Sequence, residues 1–228
     1  MALRKFSEIV KLAEKHHGKA GLAKRLEEYG GDKPPKLKAQ KDDRWLASMS
    51  QAVFSAGFSW EVIEKKWPGF EEAFDYFDPH KVAFYADREV ARLLKDTRIV
   101  RNGAKIQATI NNAQFVIDMA KEHGSFTKFL KAWPASDQIG LMEHFKKHAS
   151  HLGPSATTYF LRFNGWDSFI LSPDVTKALI REKIVSKAPT SKADMKAVQA
   201  AFNAWTAESG RPQRDVSRVL SFSVGPSA

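Results

Sequence analysis

The chain has 228 residues, 43% of them hydrophobic, with a net charge of +10 and a pI near 9.7. That length expects one or two domains with a real core, and the basic balance favours a polyanionic partner, usually nucleic acid. The chain has no cysteine, which excludes disulfides, Cys-ligated zinc, iron–sulfur clusters and thiol nucleophiles.

Residues 3–28 read as a helix, with an apolar stripe at Leu3, Phe6, Ile9, Val10, Leu12 and Ala13 that resumes at Leu22, Ala23 and Leu26 beyond Gly18. No secretory signal or stretch of about 18 apolar residues is visible, so a cytoplasmic location is expected. The breaker cluster from Tyr29 to Pro35 (YGGDKPP) reads as a linker. This sets residues 1–40 apart as a basic helical extension and linker, with one domain over 41–228. From Asp42 onward the pattern predicts helices near 43–57, 59–66, 69–75, 79–84, 87–94, 103–122, 125–132, 137–148, 155–164, 173–183 and 191–208. Plausible N-caps stand at Asp78, Asp87, Ser125 and Ser172. No strand alternation is evident in the second half, and the expected class is all-α.

Three segments invite a chemical reading. In Leu152–Asp174 (LGPSATTYFLRFNGWDSFILSPD) a Gly153-Pro154-Ser155 turn joins a helix over 142–151 to one from Thr157. Backbone N–H groups at such a turn suit a phosphate and grip a duplex without reading sequence. The plain alternative is a turn between packed helices. In 98–116 (RIVRNGAKIQATINNAQFV), Arg98, Arg101 and Asn102 lie in a turn before a helix, and Lys105 lies in its first turn. A cation there opposes the helix dipole, which suggests an anion contact; a solvated basic turn is the alternative. In 54–70 (FSAGFSWEVIEKKWPGF) the aromatics Phe54, Phe58, Trp60, Trp67 and Phe70 read mostly as core. Trp60, following a bend, suits the wall of a flat pocket. His144, His148 and His151 share one helix face beside Lys146 and Lys147, which reads as a polar, DNA-facing surface rather than a metal site. Met195, Val198, Phe202 and Trp205 form a core stripe.

Together, SAGFSW at 55–60, FDPHKVA at 77–83, RIVRNGAKIQATINNAQ at 98–114 and the hairpin at 152–165 resemble bacterial DNA-3-methyladenine glycosylase I. That family belongs to the helix-hairpin-helix DNA glycosylases. The resemblance covers about residues 44–175, and the tail from Asp194 to Val224 is similar to the closing helices of the wider superfamily. It implies two helical subdomains flanking a DNA-binding cleft, and double-stranded DNA with alkylated bases as the partner of a monomer working at the bacterial nucleoid. Grip is assigned to Gly153, Ser155, Thr157, Arg98, Arg101, Asn102 and Lys105, and base contact to Trp60, Phe54 and Ser55. The family's zinc, held by two Cys and two His, has no ligand set in a chain without cysteine. Its base-recognising Glu, eight residues before the Trp of AGxSW, is Ala52 here. The superfamily's catalytic Asp, which glycosylase I enzymes generally lack, matches Asp174, nineteen residues beyond Ser155. Asp174 also reads as a first-turn acid after Pro173. The lysine nucleophile of bifunctional members aligns with Thr157, so no lyase activity is expected.

The implied mechanism is base extrusion, stacking on Trp60 and hydrolysis of the N-glycosidic bond, with Asp174 stabilising the oxocarbenium-like sugar or orienting water. No cofactor is implied. The alternative is a glycosylase-fold DNA-binding protein with altered or lost catalysis, which Ala52 favours and Asp174 opposes.

Overall fold

A computed structural model of the chain describes residues 3–225, and these contain helices and no strands. The helices are α1 (Phe6–His17), α2 (Lys19–Glu27), α3 (Asp42–Ser55), α4 (Trp60–Ala73), α5 (Pro79–Val82), α6 (Asp87–Lys95), α7 (Gly103–His123), α8 (Phe126–Ala132), α9 (Gln138–His148), α10 (Pro154–Phe163), α11 (Pro173–Arg181), α12 (Lys192–Ser209) and α13 (Gln213–Phe222). They form two compact units. One holds residues 3–37, 134–139 and 161–225, the other residues 38–133 and 140–160.

This division corrects the predicted one, because residues 3–37 do not stand apart as an extension. The α1 side chains Phe6, Ile9 and Ala13 are buried. The Trp205 indole N–H donates to the Arg4 carbonyl at 2.9 Å, and Glu208 accepts from the Phe6 amide at 2.9 Å. Gly18, at φ 69°, splits the single helix expected over 3–28. The 29–35 linker is pinned: Arg214 donates to the Lys33 carbonyl, and Arg218 donates to the Tyr29 carbonyl while lying 4.4 Å from the Tyr29 ring. Gly165, at φ +78°, is required here, because a Cβ would meet the Lys36 carbonyl oxygen at 2.1 Å. Periodicity alone placed no helix at α13. Its N-terminus follows Pro212, which has no capping group, and the cap comes from Asp167, which accepts from the Gln213 and Arg214 amides at 3.0 and 2.9 Å. Burial raises the Asp167 carboxyl above its usual value, against these bonds.

In the second unit, α3 and α7 pack along their length. Fully buried Trp45 donates to Thr127 Oγ1 at 2.7 Å, packs tilted against Phe126 and meets Phe160 edge-on. A second aromatic group runs Phe54, Phe70, Phe74 and Phe77, with Trp67 stacked 5.2 Å from Phe77. The helices predicted at 59–66 and 69–75 are one helix, α4, which runs through Pro68. Proline leaves the carbonyl four residues earlier without its helical donor, and both Glu64 and Pro68 are exposed, so water can serve it. Beyond α4, Asp75, Tyr76 and Phe77 form a left-handed turn with φ of 49°, 55° and 59°. Arg44 braces it, bonding Glu71 with both terminal nitrogens and donating to the Tyr76 carbonyl. The caps at Asp78, Ser125 and Ser172 form as expected. Asp87 instead begins α6, where Glu89 reaches back to the Ala86 amide at 3.0 Å.

Helix α7 buries three polar side chains, Lys105, Thr109 and Asn112, the first and last two turns apart. Lys105 is 9% exposed; its ammonium donates to the Phe54 carbonyl at 3.0 Å and to the Ala56 carbonyl, and lies 4.8 Å from the centre of the Phe58 ring. It therefore closes the C-terminus of α3, where unpaired carbonyls and the negative end of the dipole favour a cation. Asn112 accepts from the Ser150 amide at 2.7 Å and donates to the Ser150 carbonyl at 3.0 Å.

His144 departs from the expected DNA-facing surface. Its ring packs against Phe115, Phe129 and Trp133, with His148 at 4.5 Å, and its buried Nε2 has no hydrogen-bond partner. Burial first, and then His148, lower its pKa from 6.5.

Two outcomes are expected. Lys105→Met strands the Phe54 and Ala56 carbonyls, costing about 1–3 kcal/mol in urea denaturation. The unfolded chain takes up a proton at His144 that the folded chain resists, so stability is complete above about pH 6.5 and falls as pH drops below it. Melting temperature followed down to about pH 5 reads this, and His144→Phe should flatten the dependence.

Candidate active site

The segment Ser55–Trp60 is built by backbone chemistry that its residues dictate. After α3, Ala56 (φ −63°, ψ 114°) and Gly57 (φ 80°) form a type II turn closed by the Phe58 amide on the Ser55 carbonyl at 3.1 Å. That turn needs positive φ at its third residue, hence glycine. Ser59 then caps α4, accepting from the Val62 amide at 3.3 Å, and Trp60 is the first residue of the helix. The consequence is a pair of outward aromatics, Phe58 at 43% and Trp60 at 42% exposure. Lys105 fixes the turn from below. Burial lowers the pKa of its ammonium, which nonetheless faces two carbonyls and a π face that favour its charge.

The other base-contact residues are placed differently. Phe54 is fully buried, edge-on to Phe70 at 4.6 Å, and so supports the turn rather than offering a face to a base. Phe58, read from the sequence as core, is the exposed ring; its place at the end of the Ala56–Gly57 turn was the signal for it. Ser55 is 7% exposed and its hydroxyl, buried, has no partner. Ala52, also 7% exposed, lies one turn earlier on α3.

Most of the side chains assigned to DNA grip are spent on structure. Lys105 is the α3 clasp. Arg98 bonds Asp96 and Glu72, at 2.8 and 2.6 Å. Asn102 is the N-cap of α7, accepting from the Lys105 amide at 3.1 Å. Arg101 is exposed. In the hairpin, Thr157 is 1% exposed and donates to the Leu152 carbonyl at 2.9 Å, so its side chain secures the turn. Gly153 and Ser155 are exposed at the turn and the first turn of α10. The turn's approach is held by Asn112, which sequence reasoning missed: an Asn inside a long helix carries no sign of a partner 38 residues away.

Asp174 lies in the first unit, in the first turn of α11, under the Ser172 cap. Its carboxylate is 46% exposed and faces Lys177 at 3.4 Å. Among the described residues no group of three or more His, Asp or Glu side chains converges as a metal site. With no cysteine in the chain, the residues do not fit the zinc that the family resemblance implies.

Comparison with known proteins places these features. The profile of the family described as methyladenine glycosylase matches residues 36–157. DNA-3-methyladenine glycosylase 1 of Escherichia coli K12 is 39% identical over 75 residues, 33% of this chain and 40% of that protein. The chain thus spans less than half the length of this curated relative. The 3-methyladenine DNA glycosylase I of Staphylococcus aureus, solved for the structural basis of 3-methyladenine recognition, superposes with a TM-score of 0.51 at 27% identity, covering 59% of this chain and 82% of that one. The 8-oxoguanine DNA glycosylase of Methanocaldococcus jannaschii shares the fold over 94% of this chain and 91% of its own, with a TM-score of 0.52 at 13% identity. The all-α architecture is accordingly that of the helix-hairpin-helix glycosylases. With the profile spanning more than half of its length, and the Phe58–Trp60 turn, the Lys105 helix and the hairpin all inside or bordering that span, the chain belongs to the methyladenine glycosylase family.

Proposed function

We propose that the chain is a monofunctional DNA glycosylase that hydrolyses the N-glycosidic bond of alkylated purines such as 3-methyladenine in double-stranded DNA. The observation that carries this reading is the outward aromatic pair Phe58 and Trp60, on a turn that a type II geometry, a Ser cap and a buried ammonium all fix. A flat aromatic face suits an extruded base, and its quadrupole favours the positive charge of an alkylated purine. The relatives' names, for DNA-3-methyladenine glycosylases, support the same substrate class.

The scissile bond loosens toward an oxocarbenium-like sugar, which an anion stabilises. Asp174 is the carboxylate offered for this role, exposed enough to meet substrate and placed in the first turn of a helix that Ser172 caps. Its carboxylate can also accept a proton from attacking water. Thr157, sealed in the hairpin by its bond to Leu152, has no amine for a Schiff base, so the reaction ends at base release. The exposed Gly153–Ser155 turn and Arg101 offer the grip on phosphates, giving salt-dependent affinity that is largely independent of sequence.

A binding protein with lost catalysis is the second reading, favoured by Ala52 and by the Lys177 ammonium beside Asp174. Release of free base from methylated duplex DNA separates the two. The wild type should release 3-methyladenine, and Asp174→Asn should lower the single-turnover rate by about a hundredfold or more with duplex binding retained. Trp60→Ala should weaken capture of the flipped base by about 1–3 kcal/mol. Duplex binding without release of any methylated purine would favour the second reading. Release unaffected by Asp174→Asn would reduce that residue to a helix-terminal acid.

A further inference from the structure

In the first unit, the start of α1 and the end of α11 border an open pocket of about 410 Å3 lined by Arg4, Lys5, Glu8, Arg181, Glu182 and Lys183. Four cations face two acids, and one of those acids is already satisfied. Glu182, its side chain 2% exposed, takes the Arg4 Nε on one oxygen and the Arg181 Nε on the other, both at 2.6 Å. The opening therefore keeps a positive balance.

The pocket continues along a helix face. Glu8, Lys11 and Lys15 stand at i, i+3 and i+7 of α1, all exposed, on the side opposite buried Phe6, Ile9 and Ala13, and exposed Arg4 and Lys5 precede the helix. At 1.5 Å per residue the helical stripe from Glu8 to Lys15 is about 10 Å long. Because the apolar face of α1 is buried in the unit's core, this helix cannot enter a bilayer and offers a partner charge alone. A regularly charged polyanion fits such a stripe. Helix α11 ties the pocket to the proposed chemistry. Asp174 and Arg181 are seven residues apart, two turns on one face of α11, or about 10 Å. The pocket thus lies at the opposite end of the helix that begins with the proposed catalytic carboxylate. The family match covers residues 36–157, so neither α1 nor α11 falls within it.

We propose that this pocket and the α1 stripe form a second phosphate-backbone site that holds duplex DNA. The proposal rests on the DNA-directed reading above, but not on catalysis. Arg4 and Arg181 hold Glu182 and stay in place in the test; the variant is Lys5→Gln, Lys11→Gln and Lys15→Gln combined. Its dissociation constant for an undamaged duplex of about 15 base pairs is measured against salt concentration. Each lysine that neutralises a phosphate adds about 0.9 to the steepness of log affinity against log salt. The triple variant should lose about 2–3 units of slope with an unchanged melting temperature, and the matching Lys→Arg triple should restore it. Single-turnover base release at saturating DNA should be unchanged. Equal affinity and slope in wild type and the Gln triple overturn the site. So does wild-type binding to vesicles of phosphatidylcholine and phosphatidylserine without binding to duplex. A wild type that binds duplex but releases no methylated base defeats the glycosylase reading, while the slope difference still decides this one.

Discussion

A single buried ammonium organises the candidate site. Lys105, two residues into α7, ties off the C-terminus of α3 through the Phe54 and Ala56 carbonyls and lies beneath the Phe58 ring. Without it, α3 would end against its neighbour with open carbonyls, and the turn that follows would lose its anchor. The same helix, two turns on, holds the approach to the hairpin through Asn112 and Ser150. One helix therefore sets two exposed features by two buried polar contacts. Such contacts specify position strongly, because a buried polar group left unpaired is costly.

The surrounding apolar packing makes those contacts rigid. Phe54 is the clearest case: its carbonyl receives the ammonium while its ring is locked against Phe70. The exposed aromatics gain their fixed position from residues that no substrate would touch. Trp60 extends from a capped helix start and Phe58 from a glycine-dependent turn. A flat aromatic platform fixed in this way needs little reorganisation for stacking, the condition under which stacking contributes most to binding.

Cations in this chain serve two distinct purposes. Lys105, Arg98, Arg44 and Arg214 are joined to carbonyls or carboxylates and hold loops and helix ends. Lys11 and Lys15 are exposed on a helix whose other face is buried. The net charge counts both kinds alike, so a surplus of ten positive charges says that a polyanion is a suitable partner without saying which residues meet it.

Sequence alone determined the helical class, most helix positions, the hairpin, three of the four caps and the motif that names the family. These are local properties: an apolar period, a Ser or Asp before a helix, a glycine where a turn needs positive φ. Trp60 was legible for the same reason, since Ser59 and Gly57 fix its place. Only tertiary structure decided that Lys105 and Thr157 turn inward to carbonyls, that Arg98 pairs with Asp96 and Glu72, and that Phe54 is buried while Phe58 is exposed. Their partners lie on other helices or across a turn. Residue type does not reveal whether a polar group's partner is protein or solvent. The start of α13 was hidden in the same way, its cap supplied by Asp167 from far along the chain. The N-terminal segment joined a core it was expected to stand outside, because an amphipathic stripe states that a face will be buried but not against what.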